Sequence, residues 1–260
     1  MDAVTTDEDA LAARLAELRD RIAASAARSG RLAEAVTLMA VTKNVAPARI
    51  RAAYALGLRD FGENRIQEAE RKRPELLQLD GARWELIGHL QTNKVKEAVA
   101  LFARVQSADS LRLLERLEAR AAAVGRELPI LLEVNAGEEA SKLGFAPDAV
   151  LEAARALERF PHLLAQGLMT VAPIGGEEVV RPVFRRLCAI RDMLREVVPQ
   201  RPVGQGELGG WDVLSMGMSD DYEIAIEEGA TLVRIGRGLF GPRPPREAEA
   251  EGTEASEPKE

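Results

Sequence analysis

Leu11, Leu15, Leu18 and Ile22 recur at helical spacing near the start of the chain and predict one amphipathic helix. Thr5 and Glu8 stand at capping-box spacing before it, and Ser29-Gly30 supplies a stop. Beyond Thr37 the period changes. Short apolar runs alternate with longer amphipathic stretches, the pattern of repeated β–α units and a parallel sheet. The runs predict strands at 37–42, 58–62, 82–87, 104–107, 130–134, 163–168, 213–215 and 231–235. Helices are expected at 47–56, 65–77, 94–102, 110–123, 147–159, 177–198 and 219–227. Eight strands with helices between them predict an α/β fold, a closed (β/α)8 barrel of the TIM type with the first helix as an extra element. A doubly wound open sheet carries the same periodicity and stands as the alternative.

Length and charge narrow the field. The 260 residues suit a barrel as one domain, taken as 1–242. The last stretch, 243–260, is rich in Pro, Glu and Ala and is expected to be a disordered acidic tail. Its six glutamates against two arginines and one lysine give −3 of the formal −7, leaving −4 elsewhere. That balance argues against a nucleic-acid partner, which calls for a basic surface. No apolar run is long enough to cross a bilayer, and the N-terminus has no signal-like core, so no membrane is expected. Cys188 is the single cysteine, which implies no intramolecular disulfide and a reducing, cytoplasmic setting. Beside Leu187 and Ile190 it reads as a small core thiol. Two histidines and one cysteine are too few for a His/Cys zinc site.

The candidate chemistry gathers where strands end. The predicted exits carry Lys43, Glu63-Asn64, His89, Ser107, Asn135, Thr170, Ser215 and Arg234. In a barrel these exits share one face, where active sites are built. Loops also begin there, and loops are polar in any case. Lys43 is one of only six lysines among 35 basic residues and closes an apolar run. It reads either as a solvated strand-terminal charge or as an amine able to attack a carbonyl. Leu214 to Asp221 runs from strand through a glycine turn into a helix, with Ser219 as its natural N-cap. Such a terminus binds phosphate readily, although simple capping explains the same residues. Gly236 to Gly241 fits G-x-G-x-x-G, but Pro242 follows at once and no second β–α–β unit comes after, so a dinucleotide site is rejected. What remains is a glycine-loosened backbone beside Arg234. An amine facing phosphate-binding turns suits a phosphorylated aldehyde or ketone, and pyridoxal phosphate fits best.

Six motifs then appear in order: Met39 to Lys43, Phe61 to Asn64, Ile87 to Lys94, Gly167 to Thr170, Leu214 to Asp220 and Val233 to Gly236. Together they resemble the YggS/PROSC family of pyridoxal-phosphate-binding homeostasis proteins, over about Thr37 to Gly241. The resemblance implies a barrel like the N-terminal domain of alanine racemase. It also implies pyridoxal 5'-phosphate held as an aldimine on Lys43, with Arg234 as partner of the pyridine nitrogen. Ser219 and the backbone amides of Gly236 and Arg237 would hold the phosphate, and Asn64 and Met216 would lie near the ring. Family members often carry a small hydroxyl residue where this chain has Arg237; a backbone contact survives that change.

The family is understood to regulate the supply of the cofactor to apo-enzymes, with no established catalytic reaction and a monomer expected. A racemase needs a second base. Tyr54 and Tyr222 are the only tyrosines, each in a predicted helix. An arginine opposite the pyridine nitrogen also weakens the cofactor as an electron sink. A carrier is therefore expected. The rivals are a pyridoxal-phosphate-dependent amino-acid racemase, a cofactor-free aldolase using Lys43, and a partner-binding module.

Overall fold

In a computed structural model, residues 6–139, 141–198 and 210–242 are described. Eight parallel strands close in sequence order: β1 (Thr37–Val41), β2 (Asp60–Glu63), β3 (Arg83–Leu86), β4 (Arg104–Ala108), β5 (Leu128–Glu133), β6 (Leu163–Met169), β7 (Val213–Ser215) and β8 (Leu232–Ile235). Closure comes from β1 pairing with β8, in register Met39 to Arg234 and Ala40 to Ile235. This excludes the open sheet. Around the barrel run α2 (Pro47–Ala55), α3 (Ile66–Lys72), α4 (Val95–Leu101), α5 (Leu111–Ala123), α6 (Val150–Ala156), α7 (Glu177–Val197) and α8 (Tyr222–Glu227), preceded by α1 (Asp7–Arg28) and followed by the single turn α9 (Arg237–Phe240). The tail expected at 243–260 lies outside the described residues.

Period-two alternation divides each strand between two environments. Ala40, Phe61, Val105, Ile130, Leu214 and Val233 enter the apolar layer between barrel and helices. The opposite face points inward and is markedly polar. The Ser215 hydroxyl donates to Gln106 Oε1 at 2.6 Å, and since β7 and β4 are not neighbours this bond crosses the barrel interior.

Several boundaries differ from expectation. Thr5 lies outside the described residues; the capping box is Thr6 with Asp9, the Thr6 hydroxyl accepting from Asp9 N–H at 3.1 Å and Asp9 Oδ2 from Thr6 N–H at 3.2 Å. The helix expected at 65–77 breaks into α3 and a 3-10 turn, Arg73–Glu75, because Pro74 lacks the N–H that would continue an α-helix. The helix expected at 219–227 begins only at Tyr222.

The extra helix α1 buries Leu11, Leu15, Leu18 and Ile22 against α2, α8 and α9. At about 1.5–3 kcal/mol per fully buried aliphatic side chain, this face alone fixes the helix. Arg14 adds a bond from Nε to Leu239 O at 2.8 Å. So α1 braces the last β–α units, those that follow β7 and β8.

Candidate functional site

The exits of β7 and β8 form one half of the barrel mouth. Arg234 sits on β8, 4% exposed. One guanidinium nitrogen donates to Ser215 Oγ at 2.6 Å and another to Thr170 O at 2.8 Å. Burial pulls its pKa down to about 10, opposed by the nearby carboxylates of Asp221 and Glu133, so it stays charged at neutral pH. The bond to Ser215 begins a chain. Ser215 donates to Gln106, Gln106 Nε2 donates to Glu85 Oε2 at 2.6 Å, and Arg104 grips Glu85 with two bonds of 2.7 and 2.8 Å. The guanidinium is thus fixed by a relay that runs through the barrel to its opposite end.

The turn after β7 depends on Gly217. Its φ is +91°, and a Cβ there would meet Ala225 Cβ at 2.6 Å and Tyr222 Cα at 2.9 Å. Ser219 was expected to cap α8, and it does not. The N-cap position is Asp221, and the Ser219 hydroxyl instead accepts from Gly238 N–H at 3.1 Å. Asp221 folds back to accept from Met218 N–H at 2.6 Å. The serine therefore ties the turn after β7 to the turn after β8. Gly236 is the N-cap of α9, whose first amides have no partner within so short a helix. The Arg237 side chain leans outward to Asp220 and is more than half exposed, so only its backbone faces the turn.

The other half of the mouth comes from β1 and β2. Extending the β1–β8 register beyond Met39 and Arg234 sets Lys43 level with the turn at Gly236 to Gly238. Lys43 is half-buried, as is Asn64 after β2, while Met216 after β7 is fully buried. Asn64 backs onto Gly88, where a Cβ would lie 2.3 Å from Asn64 O. The strand order thus brings Lys43, Ser219, Arg234, Gly236 and the Arg237 backbone to one side of the mouth, with Asn64 one strand further round.

Other exit residues have structural duties. Asn135 closes its own loop with bonds to and from Glu139. Ser107 donates to Gly88 O and Thr170 to Val134 O, both at 2.7 Å. His89 lies beside Asp109 at 3.1 Å. Cys188 is half-buried, with its thiol donating to Glu228 O and its pKa pushed up to about 11 by burial. Tyr54 donates to Asp80 O at the opposite end of the barrel, and Tyr222 packs under Arg21 of α1. Neither tyrosine reaches the mouth.

Two groups escaped the sequence reading. Gln106, Glu85 and Arg104 form the relay behind Arg234, and Glu133 ends β5 inside the mouth. Burial, reinforced by the Asp109 charge and opposed by Arg234, raises the Glu133 pKa to about 7. The signal available was polar residues at alternate positions of apolar strands, which a period-two reading could have flagged.

The donor set matches the three handles of pyridoxal phosphate: a primary amine, a buried cation for the pyridine edge, and a turn offering a hydroxyl and backbone N–H groups to a phosphate. Among the described residues no cluster of His, Cys, Asp and Glu could hold a metal ion, and no helix is long and apolar enough to cross a membrane. Residues 7–244 match the family described as alanine racemase, N-terminal domain. The pyridoxal phosphate homeostasis protein of Aquifex aeolicus is 40% identical over 232 residues, 88% of this chain and 97% of the relative. That of Pseudomonas aeruginosa is 40% identical over 234 residues, 90% and 96% respectively. PipY of Synechococcus elongatus PCC7942 aligns with a TM-score of 0.77 at 37% identity without PLP, and 0.75 at 36% with PLP bound. Both structures cover 89% of this chain and 100% of PipY. By its barrel and by these likenesses, the chain belongs to the alanine racemase N-terminal domain family and, within it, to the pyridoxal phosphate homeostasis proteins.

Proposed function

We propose that this protein binds pyridoxal 5'-phosphate at the barrel mouth and regulates its supply to apo-enzymes inside the cell. The observation that carries the reading is the β1–β8 closure, which sets the Lys43 strand end beside the Ser219–Gly238 turn with Arg234 buried within it. When bound, the cofactor supplies an aldehyde that condenses reversibly with a primary amine. Lys43 supplies that amine. Ser219 and the amides of Gly236 and Arg237 hold the phosphate, Arg234 faces the pyridine nitrogen, and Asn64 and Met216 border the ring.

The same residues favour holding over turnover. Arg234 carries a full charge, kept in place by Ser215 and Thr170, and disfavours a proton on the facing nitrogen. Tyr54 gives its hydroxyl to Asp80 O, and the Tyr222 ring packs under Arg21 of α1 with its hydroxyl buried and without a hydrogen-bond partner. Relatives named homeostasis proteins, and PLP bound to PipY, support the reading.

An absorption spectrum before and after borohydride, followed by mass mapping of the reduced adduct, tests the site. Label on Lys43 is expected; label on Lys94 or Lys142 would sink the assignment. Assay of the loaded protein with L-alanine, L-serine and L-glutamate tests the rival racemase. D-isomer formation above a protein-free cofactor control, lost in Lys43→Ala, would replace the carrier reading.

A further inference from the structure

Three charged side chains beneath β1 have no part in the site described above. Glu63 closes β2, and Glu68 and Lys72 stand one turn apart on α3. The Lys72 ammonium donates to Thr42 O at 2.6 Å and to Glu63 Oε1 at 3.0 Å, and pairs with Glu68 Oε1 at 2.5 Å. Glu63 Oε1 also accepts from the Thr42 hydroxyl at 2.6 Å, and Glu68 Oε1 from Asn44 N–H at 2.5 Å. Side-chain exposure is 10% for Lys72, 0% for Glu63 and 9% for Glu68.

A buried ion cluster is a poor way to stabilise a fold. Desolvating the charges offsets most of their attraction, and apolar residues of similar volume do as well or better. This cluster is worse balanced than a simple pair, with two carboxylates against one ammonium. Glu63 Oε2 is buried without a hydrogen-bond partner. What the cluster achieves is local. Its bonds end on Thr42 and Asn44, the residues on either side of Lys43. Asn44 holds φ at +59°, a left-handed conformation that asparagine adopts more readily than most residues and that a bond to its N–H helps to fix. Glu68 supplies that bond.

A lysine side chain is long and rich in rotamers, so its reach depends on where its stem starts. Fixing the backbone on both sides sets where its stem begins and which way it leaves the strand. We propose that Glu63, Glu68 and Lys72 are positioning residues that lock the Thr42–Asn44 backbone and so aim the Lys43 amine at the aldehyde of the bound cofactor. The inference rests on the reading that Lys43 holds pyridoxal phosphate.

The test compares two ligands by equilibrium titration: pyridoxal 5'-phosphate, and pyridoxine 5'-phosphate, whose alcohol cannot bond to an amine. Lys72→Met leaves two buried carboxylates uncompensated, so the Glu63→Gln/Lys72→Met double variant is measured beside it. Both are expected to bind the aldehyde about ten-fold more weakly, as a misaimed reactive group does, and the alcohol as wild type does. The pH at which the bound aldehyde changes its absorbance should shift as well. Equal losses for both ligands would mark general damage and overturn the proposal; so would wild-type affinity for the aldehyde. Lys43→Ala separates the two levels. If it binds the aldehyde as wild type does, the reading of Lys43 falls and the inference falls with it. If it weakens the aldehyde while the double variant does not, the inference alone fails.

Discussion

Glu133 and Gly217 show how single residues are bent to the site. Burial raises the Glu133 carboxyl from 4.5 to about 7 in the folded chain. Below about pH 4.5 both folded and unfolded states carry the proton. Between 4.5 and 7 only the folded state retains it, so stability falls as pH rises through that window and the full loss is present above pH 7. Glu133→Gln should therefore match wild type at pH 4 and exceed it by about 1–2 kcal/mol at pH 8, read as urea midpoints at the two values. Gly217 tolerates no such exchange. Gly217→Ala adds a Cβ 2.6 Å from Ala225 Cβ on a backbone at φ +91°. We expect a loss of about 2–4 kcal/mol in chemical unfolding. Neither cost was visible in the sequence, where Glu133 is one glutamate among many and Gly217 one of 21 glycines.

At the scale of elements, the turns after β7 and β8 work as one unit. Ser219 joins them through Gly238, so Ser219→Ala removes that bond and, on the proposed reading, a hydroxyl for the phosphate. Affinity for inorganic phosphate and for pyridoxal phosphate should fall together by about ten-fold, equivalent to about 1.4 kcal/mol, in calorimetric titration. An unchanged phosphate affinity would remove Ser219 from the site. The helix α1 supports this unit from outside. Leu18→Ala should cost about 2–4 kcal/mol and loosen α9 before the rest of the barrel, seen as faster amide exchange at Leu239 and Phe240. The placing of Ser219 shows where local reading stops. Serine followed by two acids is a strong capping signal, yet α8 starts three residues later because Asp221 folds back onto Met218 and Gly238 takes the serine.

For the whole molecule, the barrel interior links the mouth to its opposite end. Arg234, Ser215, Gln106, Glu85 and Arg104 come from β8, β7, β4, β3 and β4 in turn. Glu85 is 2% exposed, and Arg104 pairs with it through two hydrogen bonds. Arg104→Leu strands that carboxylate and should cost about 3–5 kcal/mol, whereas the Glu85→Leu/Arg104→Leu double variant should recover much of the loss. Thermal unfolding of the three chains reads the difference. The strand positions themselves were legible: all eight lie within three residues of where apolar runs place them, because the face of each strand that packs under the helices must be apolar whatever the inward face carries.

The sequence by itself determined eight apolar strands, an amphipathic first helix, an amine at the end of the first strand and glycine-loosened turns near the last. These follow from local periodicity and from residue chemistry, which a chain carries wherever it folds. Only the tertiary structure decided that the first and last strands are neighbours, so that Lys43 and Arg234, 191 positions apart in sequence, share one mouth. It also decided which polar side chains serve that mouth and which merely close a loop, since a hydrogen bond is spent on whichever partner the fold brings near. Lys72 bonding the backbone beside Lys43 is the clearest case: its i,i+4 pairing with Glu68 is local, but Thr42 just past β1 and Glu63 on β2 reach it only because the fold brings them there.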